Sequence, residues 1–124
     1  MTLLAYYPHE WYTSTEIAPS LNMNPALIRK ELKSLKDGGL IESKEGKNGG
    51  VRLIRPAKDI LLSDIFSSVK GSSHVLNLSS NVPDVTCKIG GQINEKLLAI
   101  FDKVDNAIVD VLKSQTLEEF KNQF

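Results

Sequence analysis

The sequence predicts a mainly α-helical fold that contains one small β-hairpin and continues into a long C-terminal helix. Three observations carry this prediction: a helical stretch that begins at Asn24, two β-prone runs between residues 40 and 54, and an amphipathic stretch over residues 92–113. A short helix, a turn, a longer helix and a hairpin, in this order, form a winged helix-turn-helix. The predicted fold class is therefore a winged helix-turn-helix followed by a long helix.

The residues before the first predicted helix are rich in aromatic side chains. Pro8 limits this stretch to at most a short helix and a turn. Its aromatic residues, which include Trp11 and Tyr12, are expected in the core or at a dimer contact, and the alternative is a stacking platform for bases. Hydroxyl residues from Thr13 onward then cap a short helix that ends near Leu21. The apolar residues of that helix, Leu21 among them, are expected to face inward.

The stretch from Asn24 to Gly39 predicts the longer second helix. Asn24 is a favourable N-cap, and the proline that follows it occupies the first helical position, where no backbone N–H is needed. Gly38 and Gly39 end the helix, because glycine enters the left-handed region without a Cβ penalty. Apolar and basic residues separate by face: the apolar set is Leu27, Ile28, Leu32 and Leu35, and the basic set is Arg29, Lys30, Lys33 and Lys36. One face is therefore expected to pack and another to be positive.

A hairpin is predicted directly after this helix. Residues 40–43 and 51–54 are short β-prone runs, and the residues between them, KEGKNGG, are typical of a hairpin turn. A basic helix fits the major groove of DNA, and a basic hairpin tip fits the minor groove or the phosphate backbone. This arrangement favours a DNA-binding protein.

The charge distribution agrees with a polyanionic partner, although the net charge of the chain is zero. Residues 29–58 contain nine basic and four acidic residues, so this segment carries +5 and the remainder −5. A positive face on a neutral protein is a suitable footprint for nucleic acid, whereas a charge run on a helix is often only a solvated surface.

The long C-terminal helix is predicted over residues 92–113. Apolar residues such as Leu97, Phe101 and Val104 mark one face, and polar residues that include Asp102 and Asp105 are expected on the opposite, solvent face. At about 1.5 Å per residue this helix is over 30 Å long, which is more apolar surface than so small a domain needs. A homodimer through this helix covers the surplus and places two recognition helices about 34 Å apart. Thr116 then caps a final short helix.

Several classes of protein do not fit the composition. The sequence has no run of about 18 apolar residues to cross a membrane, and its N-terminus does not resemble a secretory signal, so a cytoplasmic protein is expected. Cys87 is the single cysteine and cannot form an internal disulfide or a cysteine-rich zinc site. Phosphate-cradling loops and nucleophile–histidine patterns are lacking as well, so we expect neither an enzyme nor a cofactor.

Residues 13–71 carry motifs that resemble the Rrf2 family of bacterial winged helix-turn-helix transcription regulators. The matching features are the helix-turn-helix, Gly39-Leu40 before the hairpin, the hairpin turn Gly46-Lys47-Asn48-Gly49-Gly50, the exit Leu53-Ile54-Arg55-Pro56, and Ile60 to Ile65. The resemblance implies a homodimeric operator-binding regulator, usually a repressor, that lacks the three-cysteine iron-sulfur motif. By position, the implied DNA-facing residues are Ser14, Thr15, Asn24, Ala26, Arg29, Lys30, Lys47, Asn48 and Arg52.

The chemistry of these side chains agrees independently with the resemblance. Arg29 is able to make a bidentate contact to guanine, worth about 1–3 kcal/mol of discrimination between bases. Lys30, Lys33 and Lys47 suit phosphate contacts, which supply affinity and salt dependence. The competing interpretation for each lysine is a solvated surface residue.

The sequence departs from the family pattern in two places. Family members generally open with a longer first helix, so the start of this chain is expected to be shortened or truncated. Relatives that sense iron-sulfur status or nitric oxide hold a cluster on three cysteines, whereas this sequence has only Cys87, which leaves a cluster short of ligands. Cys87 precedes a long helix and adjoins Lys88, which favours a thiolate and a redox switch. The alternative is a buried cysteine that acts as a small hydrophobe.

These inferences divide the chain into three parts and leave two functions open. Residues 1–71 are expected to form the DNA-binding domain, residues 72–90 a loop and possible effector region, and residues 91–124 the dimerisation helix and tail. The alternative to a DNA-binding regulator is a winged helix that contacts only proteins. The salt dependence of binding distinguishes these two functions, because DNA binding that neutralises several phosphates weakens steeply as the salt concentration rises.

Overall fold

The computed structural model of the chain describes residues 1–71 and 74–124 and has the predicted architecture. The elements in chain order are α1 (Thr2–Tyr6), α2 (Ser14–Leu21), α3 (Pro25–Asp37), β1 (Ile41–Lys44), β2 (Gly50–Leu53), a 3-10 turn (Ala57–Asp59), α4 (Leu62–Lys70), α5 (Ile93–Leu112) and α6 (Leu117–Lys121). The fold class is confirmed, since a helix-turn-helix leads into an antiparallel hairpin and a long helix follows.

The caps predicted for α2 and α3 are formed. Thr13 Oγ1 accepts a hydrogen bond from the backbone N–H of Glu16 at 3.2 Å, and Asn24 Oδ1 accepts one from the N–H of Ala26 at 2.8 Å. The inward orientation expected of Leu21 and Leu27 is wrong, because these side chains are 57% and 54% exposed. Leu21 ends α2 at the rim, and Leu27 lies about 100° around α3 from the buried residue that follows it.

The hairpin is anchored to the chain segment that precedes α2. β1 and β2 pair antiparallel with Ile41 opposite Leu53, and Tyr12 adds a further bridge through two hydrogen bonds to Val51, of 2.8 and 3.0 Å. Gly50 permits this contact: its φ is +143°, and a Cβ there would lie 2.6 Å from the Tyr12 backbone. The hairpin is therefore held at its base by backbone contacts that need a glycine.

The apolar core lies beneath the helix-turn-helix and the hairpin. Among the described residues, the buried apolar side chains are Leu4, Ala5, Ile17, Ala18, Ile28, Leu35, Leu40, Ile41, Val51, Leu53, Ile60 and Leu117. The C-terminal residue in this set comes from α6, which packs on α1 and on the 3-10 turn. We define residues 1–71 as the winged region. After α5 the chain therefore returns to pack on this region through α6.

The long helix α5 packs on α4 and otherwise presents apolar side chains to solvent. Ile100 is 53% exposed and Val111 is 70% exposed, and the one buried residue of α5 is Asp105, at 7%. The expectation that Asp105 lies on the solvent face is therefore wrong, because this carboxylate turns toward the end of α4 and the segment that follows. That segment, residues 74–92, consists of turns and irregular chain, and positions 72 and 73 of the predicted loop lie outside the described residues.

Candidate nucleic-acid interface

The recognition helix α3 exposes the basic side chains that the sequence predicted. Arg29, Lys30 and Lys33 are exposed, as are Ala26 in the first turn and Asn24 at the N-cap. The opposite face of α3 packs against the core through the buried side chains of Ile28 and Leu35. Because these two side chains fix the rotation of the helix about its axis, they also determine which residues point outward. This exposed face is convex and positive, as a helix in a major groove requires.

A cleft of about 430 Å³ lies between α3, the start of α2 and the base of the hairpin. Three of the predicted residues, Ser14, Arg29 and Lys33, line it together, and Lys36 and Tyr12 are among the other residues of its wall. Lys36 donates a 2.6 Å hydrogen bond to Ser43 of β1, which links the helix to the hairpin. The cleft therefore joins the three elements that the sequence assigned to DNA contact.

Thr15 and Asn24 meet at a second depression, which is about 460 Å³ in volume and surrounds the turn between α2 and α3. Asn22 in this turn has a φ of +51°, a left-handed conformation that asparagine tolerates better than most residues. The tight turn brings the first turn of α2 beside the first turn of α3, so these two predicted residues share one surface.

The tip of the hairpin carries Lys47 and Asn48, both exposed. Asn48 has a φ of +64°, and the N–H of Gly49 donates to Gly46 O at 3.0 Å, which closes the tip. These two side chains extend from the same end of the hairpin, away from the core, where they are free to contact a phosphate backbone.

Arg52 differs from the other predicted residues because its guanidinium group is already engaged. Its Nε donates to Glu42 at 2.7 Å, and the group lies 4.3 Å from the centre of the Trp11 ring, to which Lys44 Nζ also approaches at 5.7 Å. Trp11 is half-buried and takes part in a cation–π stack. The sequence did not indicate this role, because about forty residues separate Trp11 from Arg52 and only the folded hairpin joins them.

Charge pairing distinguishes the basic residues of α3 and the hairpin tip from two arginines of the hairpin and its exit. Within residues 1–71 and 74–124, none of the side chains of Arg29, Lys30, Lys33 and Lys47 forms an ion pair. Arg52, by contrast, pairs with Glu42, and the guanidinium of Arg55 lies 3.9 Å from Asp64. Four cations without an ion pair in the described part of the chain therefore lie on α3 and at the hairpin tip, the two parts expected to meet DNA.

A separate polar cluster joins the segment after α4 to α5. His74 Nδ1 lies 2.7 Å from Asp105 Oδ2 and 3.5 Å from Asp102 Oδ1, and the N–H of Val75 donates to Asp105 Oδ1 at 3.2 Å. Lys70 Nζ is 3.4 Å from Asp105 Oδ2. Burial raises the pKa of Asp105, but the hydrogen bonds from Val75 and His74 and the charge of Lys70 outweigh it, so the net pKa lies below its usual value.

The sequence gives only a weak indication of this cluster. The available signal was the spacing of Asp102 and Asp105, which puts two carboxylates on one helix face at i and i+3. Nothing in the sequence indicated that His74 would reach them, because an irregular segment of unknown path separates it from α5.

Cys87 is an exposed free thiol in the turns that precede α5. Backbone N–H groups of Gly90, and next of Ile89, lower the pKa of its thiol. The interpretation as a small buried hydrophobe is therefore wrong. The N-terminus of α5 lies several residues farther on, at Ile93, so the nearby turn and not the helix itself stabilises the thiolate.

A search of the described helices for a membrane-spanning segment found none of sufficient length and apolar character.

Comparison with known proteins gives consistent matches along the chain. A family model described as Rrf2, iron-dependent transcriptional regulator, matches residues 1–123. The chain is 31% identical over 111 residues to YwnA of Bacillus subtilis, which bears the provisional name of an HTH-type transcriptional regulator; the match covers 89% of this chain and 82% of YwnA. A similarly named protein, YffB of Lactococcus lactis, is 26% identical over 99% of this chain and 80% of its own length.

Solved structures show the same fold. CymR of Staphylococcus aureus has a TM-score of 0.65 at 26% identity, with coverage of 97% of this chain and 87% of that one. T. potens IscR has a TM-score of 0.67 at 24% identity, with coverage of 98% and 77%.

Proposed function

The chain belongs to the Rrf2 family of transcriptional regulators, which are DNA-binding proteins and not enzymes, and on that premise we propose that it acts in the cytoplasm as a dimeric repressor. In this proposal α3 enters the major groove of an operator, and the hairpin tip reaches the flanking phosphates or minor groove. The observation that carries it is that Arg29, Lys30 and Lys33 on α3 and Lys47 at the hairpin tip are exposed and form no ion pair within residues 1–71 and 74–124.

We assign different tasks to the residues of this interface. Arg29 reads a base edge, because its guanidinium extends from the exposed face of α3 and forms no ion pair within the described residues. Phosphate contacts are assigned to Lys30, Lys33, Lys47 and Asn48. The DNA backbone beside these phosphates is contacted by Ser14, Thr15, Asn24 and Ala26. Arg52 acts mainly by holding the hairpin, since Glu42 and Trp11 already engage it.

Dimerisation through α5 is the second part of the proposal. One side of α5 carries an apolar stripe at helical spacing, formed by Ile100, Val104, Ala107 and Val111. All of these except Val104 are exposed in the isolated chain. A helix of 20 residues, about 30 Å long, offers a second copy a continuous apolar surface. A two-fold pair of chains also suits an operator with two half-sites.

The third part of the proposal concerns the signal, which we assign to Cys87. Its exposure and lowered pKa favour attack of the thiolate on a peroxide: a sulfur–oxygen bond forms, the O–O bond breaks, and the peroxide is reduced as sulfur is oxidised to sulfenic acid. The family description names iron, yet a thiolate-held iron-sulfur cluster does not fit, because Cys87 is the only cysteine of the chain.

Binding to DNA across a salt series tests the proposal. Purified protein is titrated onto a promoter fragment from its own locus between about 50 and 200 mM salt, where several phosphate contacts weaken affinity steeply. Arg29→Ala should lower operator affinity by about 5- to 150-fold, the equivalent of about 1–3 kcal/mol, and relax sequence selectivity. Lys47→Ala should reduce the salt slope by about one, with little change in selectivity.

Lys113→Ala is the matched control, since it removes an exposed cation at the end of α5, away from the apolar stripe, and should leave DNA binding unchanged. A peroxide-treated sample, compared with Cys87→Ser, tests the signal. Absence of salt-dependent binding in reduced and oxidised protein alike would overturn the DNA-binding proposal in favour of a winged helix that contacts only proteins. Equal loss of binding in Cys87→Ser and wild type after oxidation would overturn the role of Cys87.

A further inference from the structure

The cluster of His74, Asp102 and Asp105 has the composition of a metal site. One imidazole nitrogen and two carboxylate oxygens from these residues all lie within 4.8 Å of one another. They come from two separate parts of the chain, since His74 follows α4 while both aspartates lie on α5. The convergence is therefore a product of the fold and is more than a row of acidic residues along a helix surface.

The distances are close to those a bound ion needs. A tetrahedral ion with bonds of about 2.1 Å holds its ligand atoms about 3.4 Å apart. His74 Nδ1 and Asp102 Oδ1 are already 3.5 Å apart, whereas His74 Nδ1 and Asp105 Oδ2 are 2.7 Å apart and must separate slightly. The side chain of Asp102 is 68% exposed, so it is free to rotate toward an ion.

Supporting contacts orient two of the three donors. The N–H of Val75 holds the second oxygen of Asp105, whose side chain is only 9% exposed, and the ring of Phe101 contacts the His74 ring edge-on with centroids 6.3 Å apart. Such outer contacts are typical of metal sites, where they fix ligand orientation.

The site already attracts a cation. Lys70 Nζ lies 3.4 Å from Asp105 Oδ2, and two carboxylates against one ammonium leave the cluster negative when His74 is neutral. A divalent ion would compete with Lys70 for Asp105 and would also bind His74 and Asp102. Since Lys70 ends α4, this exchange would change the contact between the winged region and α5.

We propose that His74, Asp102 and Asp105 bind a first-row divalent metal ion, which displaces Lys70 from Asp105 and fixes residues 74 and 75 to α5. Nitrogen and oxygen donors without a thiolate favour Zn²⁺ or Fe²⁺ over softer ions. The existence of the site is independent of the proposed function, and only its effect on operator binding rests on that function.

The test is a titration of tag-free, chelator-treated full-length protein with Zn²⁺ by calorimetry, together with the visible spectrum of the Co²⁺-loaded form. Wild type should bind one Zn²⁺ per chain. His74→Gln and Asp102→Asn should each weaken binding by about tenfold or more and alter the Co²⁺ bands. His9→Gln, which removes the other histidine of the chain, is the matched control and should change neither readout.

A fourth variant separates a metal site from a simple hydrogen-bonded contact. Lys70→Met removes the competing ammonium and should tighten Zn²⁺ binding severalfold, whereas an ordinary His–Asp contact predicts no Zn²⁺ binding in any variant. Lack of Zn²⁺ binding by wild type, or equal binding by His74→Gln, would overturn the proposal. Neither result depends on DNA, so failure of the metal site is distinguishable from failure of the proposed function.

Discussion

The winged region and α5 differ in how much of their apolar surface is buried within one chain. Eleven of the twelve apolar side chains that are buried in the described part of the chain lie in the winged region, and the remaining one, Leu117, reaches it from α6. The 20-residue α5 contributes none, and its one buried side chain is the carboxylate of Asp105. The winged region forms its apolar core within a single chain, while α5 exposes apolar residues such as Ile100 and Val111.

This difference indicates how stability and function are divided. The winged region has a closed core and capped helices, so it holds the residues that we propose to face DNA rigidly. The helix α5 rests on α4 and the cluster of His74, Asp102 and Asp105 and contributes no apolar residue to the core, so we expect its attachment to be weaker. A protein that must bind DNA firmly and still respond to its surroundings benefits from this separation.

The largest expected effect is a contrast between two isoleucines. Ile60→Ala should lower the free energy of unfolding by about 2–5 kcal/mol, because Ile60 is completely buried and its loss leaves a cavity. Ile100→Ala should change it by about 0.5 kcal/mol or less at protein concentrations low enough for the monomer, because its side chain is 53% exposed. Urea denaturation measures both, and equal effects would contradict the contrast.

A smaller loss is expected at the base of the hairpin. Gly50→Ala should lower the free energy of unfolding by about 1–3 kcal/mol, because the new Cβ meets the Tyr12 backbone and the φ of +143° is strained for alanine. Gly46→Ala is the control: its φ is +87°, so it shares the strain, but its Cβ meets no atom within 4 Å. Thermal unfolding should rank Gly50→Ala below Gly46→Ala, and the reverse order would contradict the anchoring role of Tyr12.

Arg52 should contribute still less to stability. Arg52→Gln removes an ion pair to Glu42 and a cation–π contact to Trp11, both partly exposed, at a cost of about 1 kcal/mol or less. Trp11 is the only tryptophan of the chain, so its fluorescence emission reports directly on this contact. An unchanged emission spectrum in Arg52→Gln would mean that the stack is not populated in solution.

The smallest effect on stability is expected at Cys87, where the informative quantity is reactivity. Because the pKa of the thiol is lowered in the folded chain, more thiolate is present at a given pH below the usual value of about 8.5. The rate of alkylation by iodoacetamide should therefore reach half its maximum at a lower pH in folded protein than in urea-unfolded protein. Coincident pH profiles would show that the turn around Cys87 does not stabilise the thiolate.

Local signals in the sequence were sufficient for most of the fold. Asn24 and Thr116 are caps that act within three residues, so the first residues of the helices they begin were predicted correctly. The hairpin followed from its turn residues in the same way. The burial of α3 was only partly predictable, because periodicity alone did not show that Leu27 lies beyond the edge of the core.

Contacts between distant segments were the part that sequence could not supply. The Trp11 stack and the His74 cluster depend on where the hairpin and the segment after α4 finally lie, and no local rule gives those positions. The uncompensated state of Arg29, Lys33 and Lys47 has the same origin, since it depends on which acidic residues fold close to them. The basic residues were predictable as candidates, but their charge pairing was not.

The most direct test of this account compares wild type with an Ile100→Asp/Val111→Asp double variant, by sedimentation equilibrium and by operator binding on the same samples. Wild type should be a dimer, and the variant a folded monomer, because charges on the exposed stripe of α5 prevent pairing while the winged core is untouched. Operator affinity should fall by about 10²-fold or more with loss of the second half-site contact, while weak salt-dependent binding remains. A monomeric variant that binds the operator as tightly as wild type would contradict the account.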